Sequence, residues 1–402
     1  MKRVLLIAYV FPPDASPGAQ RPGFIAKYLP QFGWDAAPLT RSLDAPAPPL
    51  HDARASADGT AHDSRVRALL RGVRDSMLVP DRMAPWIPGA IAYGRKLLAS
   101  QSFDAILGTA LPASVHVVGG ALARMSGLPW IADYRDPWSG NRYAHHNAVR
   151  SSLEAQLERR LISRAACITT VSGPIADRLA AFHGRRDVHV IPNAYDPSEW
   201  SGLAAVQPAE FSLCYTGSMY DGLRTPDLLF SAIAILRGEN HPAGMNARVH
   251  FFGPDCTNVI PCARKYGIED AVRYHGAVPR AQALRAQRES AALVIFLNMD
   301  PQTAGELGSK YLEYAGARRH ILAFGPAGSA LRGVLAESGA GSFASNSDQA
   351  AECLKGAYMR FLRGEHDVAA NAQAFPTGVE LAGRFAQLLD RYAAAGSAAR
   401  VA

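Results

Sequence analysis

No stretch of this chain stays apolar over the roughly 20 residues a bilayer-crossing helix requires. The one apolar opening, Val4 to Phe11, is too short and has no small-residue cleavage site, so it reads as a first strand and not as a signal peptide. Cysteine is scarce and scattered: Cys167, Cys214, Cys256, Cys262 and Cys353 form no CxxC pair and have no histidine cluster beside them. That excludes a zinc ribbon and a disulfide framework, leaving buried or incidental thiols of a reducing cytoplasm. Walker A, HExxH and GxSxG sequences are missing, and no GxGxxG follows the first strand. An Asp-x-Asp metal–diphosphate clamp is missing as well. Together these absences remove most hydrolase, kinase and dehydrogenase readings.

What is present is ordinary globular composition, 48% hydrophobic and 19% charged, over 402 residues, a length that suits two or three domains. The net charge of +7 suits a polyanionic partner: nucleic acid, an anionic membrane surface or a phosphorylated substrate. Its arginines are dispersed, and no nucleic acid partner is expected. Their densest cluster, SRVRALLRGVRDSM from Ser64 to Met77, has helical apolar spacing. It reads either as a basic amphipathic helix lying on a membrane or as a surface helix packing an apolar stripe.

Short apolar runs alternate with helical patterns along the N-terminal half. KRVLLIAYVF, FDAILGTA, PWIADY and ACITTV read as strands; RPGFIAKYLPQFGW, SVHVVGGALARMSG and SSLEAQLERRLISRA read as helices. HVIPNAYDPSEWSG then interrupts the pattern with prolines and a glycine. A second series follows: strands FSLCYTG, ARVHFFG, AVRYHGA, AALVIFL and HILAFG, helices DLLFSAIAILRG and KYLEYAGA, and a closing helix GVELAGRFAQLLDRYAAAG. The reading is an α/β protein of two doubly wound, Rossmann-like domains facing a cleft. The expected boundaries are an N-terminal domain over 1–191, a linker over 192–205, a C-terminal domain over 206–374, and a final segment over 375–402 that returns toward the first domain. In such sheets ligands bind beyond the carboxyl ends of the strands.

Candidate site residues follow from that rule. In YTGSMYDGLRTPD a strand runs into a turn at Gly217 and Ser218, with Arg224 at the entrance to the next helix; turn amides and a cation can hold a phosphate. In GELGSKYLEYAGARRHILAFGP a helix starting near Ser309 would aim the amides of Gly308 to Lys310 at an anion. Glu313 lies one turn deeper on the same face as Ser309. It is either a solvent-facing carboxylate or one that accepts two hydroxyls of a ribose. In the first domain, Gly18 and Arg21 follow the first strand, and Asp133, Arg135, Asp136 and Trp138 follow a later one. Arg135 and Asp136 read equally as a salt-bridged turn and as ligand contacts.

Taken together, YVFPPDASPGAQR, FDAILGTALPAS, LPWIADYRDPW, TTVSGPIADRL, VIPNAYDP, YTGSMYDGLRTPDLL, RYHGAVPR and GSKYLEYAGARRHILAFGP occur in one order along the chain. In that order they resemble the family-4 retaining glycosyltransferases of GT-B architecture, within a bacterial subgroup acting in polysaccharide or glycoconjugate assembly. The resemblance implies transfer of a sugar from a nucleotide-diphosphate sugar to a glycan, lipid-linked or small-molecule hydroxyl. It implies no obligatory cofactor or metal, and a cytoplasmic enzyme that is soluble or peripheral on the inner membrane face. Donor binding falls to Glu313, Gly308, Ser309, Gly217, Ser218, Val278 and Gly18, with His275 to Val278 at the base pocket. Catalytic charge falls to Arg224, Lys310, Asp136 and Arg135, and the acceptor side to Arg21 and Trp138. The sequence departs from the family at Gly305, where a second glutamate is common and Glu306 stands one place late; at Ser218, where arginine is common; and at Arg135, where histidine is common. A nucleotide-sugar epimerase of the same architecture and a non-catalytic nucleotide-binding subunit are the alternatives.

Overall fold

The computed structural model describes residues 1–14, 16–42, 78–139, 148–204, 206–220, 222–303, 307–368 and 375–401. The basic stretch from Ser64 to Met77, Gly305 and Glu306 lie outside the described residues. Two compact units emerge, Met1–Asn193 with Gly378–Ala402, and Ala194–Thr377. Each is built on one six-stranded, all-parallel sheet.

The first unit contains β1 (Lys2–Ile7), β2 (Trp34–Leu39), β3 (Ala105–Ala110), β4 (Trp130–Tyr134), β5 (Cys167–Thr170) and β6 (Val188–Val190). Their order, β2-β1-β3-β4-β5-β6, reverses direction between β1 and β3. The central strands are the apolar runs of the sequence: every residue of AILGTA and WIADY is buried. Helices covering both faces remove these strands from water, and hydrophobic burial drives the assembly. The C-terminal helix, Gly378–Val401, packs in this unit against helix Pro17–Tyr28, with Gly378 so close to Tyr28 and Phe24 that no side chain fits there.

One expectation is corrected here. The stretch RPGFIAKYLPQFGW is not a single helix. The helix ends at Tyr28, a 3-10 turn covers Leu29–Phe32, Gly33 adopts φ 80°, and Trp34 opens β2. The run WDAAPL hides its strand character because it is half-exposed and contains Pro38. Proline is tolerated at a sheet edge, and β2 is the edge strand.

In the second unit the strands are β7 (Ser212–Thr216), β8 (Arg248–Phe252), β9 (Val272–Tyr274), β10 (Ala292–Phe296), β11 (His320–Phe324) and β12 (Gly341–Ala344). Their order, β9-β8-β7-β10-β11-β12, is that of the dinucleotide-binding Rossmann sheet. Direction reverses between β7 and β10, which pair through Leu213–Ala292 and Cys214–Leu293. Crossovers leave on opposite sides at that point, so a crevice opens beyond Thr216 and Phe296. The two faces of the sheet carry separate cores, one around Phe230, Phe251 and Leu354, the other around Tyr314, Leu331 and Phe375. All five cysteines are free. Among the described residues no helix is long and apolar enough to cross a membrane.

Candidate functional site

The crevice of the second unit gathers most of the residues singled out in its sequence. Gly217, directly after β7, has φ 126°, a conformation that favours glycine. A side chain there would also collide with the Lys310 ammonium. Lys310 opens helix Lys310–Ala317 and reaches back so that Nζ donates to the Thr216 carbonyl, 4.3 Å from the centroid of the Tyr215 ring. Burial, with the Arg224 guanidinium adding repulsion, lowers its pKa to about 8. Arg224 lies 4.4 Å over the ring of Tyr220 and also reaches the Tyr215 hydroxyl. Two cations thus converge on the end of one strand.

Three of the turn amides donate to partners within the protein. The Gly217 N–H donates to the Phe252 carbonyl at 2.7 Å. The N–H groups of Met219 and Tyr220 each donate at 2.9 Å to the carboxylate of Asp255, which also accepts the Ser218 hydroxyl. Burial by itself would raise the Asp255 pKa, yet these donors hold it below the ordinary carboxylate value. Gly217 and Ser218 therefore shape the turn, and the charge facing the crevice comes from Arg224 and Lys310. Gly308 (φ 62°) precedes Ser309, and no side chain caps the helix start. That start carries the partial positive charge of a helix N-terminus.

Glu313 is held by protein groups and does not simply face solvent. Its Oε2 accepts Arg280 Nη1 at 2.9 Å and its Oε1 accepts Gln287 Nε2 at 2.6 Å. Val278 packs on the second core of this unit. Nearby, the exposed His275 ring stacks 4.3 Å from Phe252 and hydrogen-bonds His250 at 2.9 Å.

The first unit places its candidates differently. Arg135 spends each of its three guanidinium nitrogens on a main-chain carbonyl: Ala110 at 2.8 Å, Gly18 at 2.6 Å and Leu111 at 2.9 Å. It thereby joins the start of helix Pro17–Tyr28 to the end of β3, and burial lowers its pKa despite the nearby Asp133. Arg21 is buried against Asp133, and Trp138 is buried in the core of this unit. Asp136 is exposed beyond β4.

Asp255, Arg280, Gln287 and Glu199 had not stood out in the sequence. Asp255 follows the end of β8, a position where the strand-end rule would have found it. Gln287 sits within a polar helix, Arg280–Glu289, and nothing in the local pattern marks it.

Two Rossmann-like units in tandem form the GT-B fold. Residues 25–199 match the family described as Glycosyltransferase Family 4. Among solved structures, HepE of Anabaena in complex with UDP and glucose matches with TM-score 0.61 at 13% identity, covering 97% of this chain and 100% of that one. Sucrose-phosphate synthase of Thermosynechococcus elongatus matches with TM-score 0.58 at 15% identity, covering 100% and 98%. A glycosyltransferase of Rickettsia africae matches with TM-score 0.56 at 10% identity, covering 97% and 98%. No curated protein matches the chain by sequence.

Proposed function

We propose that the protein transfers a sugar, with retention of anomeric configuration, from a nucleotide-diphosphate sugar to a hydroxyl acceptor in cell-surface polysaccharide or glycoconjugate assembly. The observation that carries this reading is the convergence of Lys310 and Arg224 on the end of β7, with Glu313 one turn along the helix that Lys310 opens. Burial and Arg224 disfavour the Lys310 charge even with Glu313 beside it, and a diphosphate would favour that charge. A carboxylate beside them suits a diol and not a further phosphate. The solved structures of HepE hold UDP or UDP-glucose, which is the ligand class this arrangement suits.

In the proposed reaction the bond from the anomeric carbon to the diphosphate oxygen breaks. The acceptor oxygen bonds to that carbon on the same face, and its proton passes to the departing diphosphate. Lys310, Arg224 and the amides of Gly308 and Ser309 stabilise the charge that grows on the leaving group. The segment from His275 to Val278 lies beside the nucleobase. Arg135 acts by fixing the start of helix Pro17–Tyr28, which carries Gly18, and Asp136 faces the acceptor. The reaction is placed in the cytoplasm or on the inner face of the membrane.

A thermal-shift panel of UDP, GDP, dTDP and ADP on wild type and Glu313→Ala tests the binding reading. One nucleotide should raise the melting temperature of wild type far more than that of the variant; at a hundredfold excess over Kd the gain is about 2.7 kcal/mol. No response to any of the four would count against it. With the donor known, NMR of the product's anomeric proton decides between retention and inversion.

A further inference from the structure

Glu313 is the end of a chain of fixed donors, and that chain bears on which nucleotides the second unit accepts. We infer that Gln287 and Arg280 orient the Glu313 carboxylate so that the site selects ribonucleoside diphosphates against their 2′-deoxy counterparts. The inference rests on the nucleotide-binding role proposed for Glu313.

A carboxylate offers two oxygens and about four lone-pair sites. Gln287 Nε2 takes one on Oε1 and Arg280 Nη1 takes one on Oε2. Donors on opposite oxygens block rotation of the carboxylate and leave one direction open on each oxygen. A vicinal diol presents two hydroxyl donors and fills both directions, whereas a 2′-deoxyribose fills one.

The two supports are themselves fixed. Arg280 pairs in bidentate fashion with Glu199, Nε to Oε1 at 2.7 Å and Nη2 to Oε2 at 2.6 Å, which leaves Nη1 for Glu313. Gln287 is fully buried, and the same amide nitrogen also donates to Thr216 Oγ1 at 2.8 Å. Through Thr216, whose carbonyl accepts Lys310, the carboxylate and the cation share one anchor at the end of β7.

A further observation argues that Gln287 is not there for stability. Its Oε1 is buried and finds no hydrogen-bond partner among the described residues. An unpaired buried carbonyl is costly, and leucine of similar size would avoid it. The amide is kept with its nitrogen turned to Glu313 and Thr216.

The test is isothermal titration with matched pairs, UDP, ADP, GDP and CDP each against its 2′-deoxy form. The proteins are wild type, Gln287→Leu, Arg280→Met, Arg280→Lys and Glu313→Gln, each checked for folding by circular dichroism. For the base that binds, wild type should prefer the ribose form by about tenfold or more. Gln287→Leu and Arg280→Met should reduce the preference to about threefold or less while leaving affinity for the deoxy form nearly unchanged. Arg280→Lys should restore part of it. A purely structural role would weaken both forms together and keep the ratio, and that outcome overturns the inference even if Glu313→Gln loses the preference. A wild type with no preference overturns it too. Should no diphosphate bind wild type, the nucleotide-binding reading itself fails, and the inference with it.

Discussion

Arg21 and Asp133, 112 residues apart in sequence, are joined by two parallel hydrogen bonds of 2.8 Å inside the first unit. Both side chains are buried, at 3% and 0% exposure, and Asp133 also accepts the Thr169 hydroxyl at 2.7 Å. Removing one partner of such a pair strands the other charge, so Arg21→Met should destabilise the protein by about 3–5 kcal/mol. Burial raises the Asp133 pKa and Arg21 opposes it, leaving the folded value below the ordinary one. The stability from this pair is therefore complete at neutral pH and is lost as pH falls through and below the usual carboxylate range. Urea denaturation at pH 7 measures it. A midpoint equal to that of wild type with the same slope would show that the pair contributes nothing net.

That pair also shows where sequence reading stopped. In the sequence Arg21 follows the first strand in a glycine- and proline-rich stretch that reads as a ligand contact, and nothing local reveals that its partner is Asp133 on β4. Central strands such as AILGTA and ALVIF were legible because burial on both faces demands an unbroken apolar run. The edges β2, β6 and β12 were not. WDAAPL, VHV and GSFA are each only partly buried, so they carry no such run. In the second unit Gly217, Arg224, Lys310 and Glu313 stand beyond a strand end or at a helix start, positions that a local pattern marks. Gln287 and Arg280 were hidden, since a residue that acts through another carries its signal in three dimensions only.

Arg224 stands over Tyr220 and meets the Tyr215 hydroxyl, so its guanidinium is fixed before any ligand arrives. A pre-aimed cation contributes most when charge is greatest, at the departing diphosphate. Arg224→Ala should lower kcat by about 10²-fold or more and nucleotide affinity by much less. Steady-state kinetics with titrated donor separates the two. An equal loss in both would mean that Arg224 binds the ground state and the transition state alike.

Gly217 combines a left-handed backbone with contact against Lys310, and the two effects can be separated. Gly217→Ala should cost about 1–3 kcal/mol of stability from strain and should also weaken nucleotide binding by displacing the ammonium. Gly184 has φ 63° with open space around its Cβ direction, so Gly184→Ala should show strain alone. Melting temperature and nucleotide affinity, measured on both variants, make the comparison. Equal nucleotide affinity in the two would remove Lys310 from the binding site.

Lys310 provides the pH dependence. Burial first, and then repulsion from Arg224, lower its pKa from the ordinary lysine value to about 8. The free protein therefore loses this charge as pH passes 8, whereas the unfolded chain keeps it until much higher pH. By linkage, the stability of the free protein should rise between pH 8 and the unfolded value, because the unfolded state then binds more protons. Nucleotide binding runs the other way. A diphosphate prefers the ammonium and raises its pKa, so affinity should fall with pH above about 8, by at most about tenfold per unit for one coupled proton. Calorimetric titration of the nucleoside diphosphate that binds, from pH 7 to 9.5, gives the slope. Lys310→Met should bind more weakly at neutral pH and show a flat profile. A flat profile in wild type would falsify the assignment of the diphosphate to Lys310.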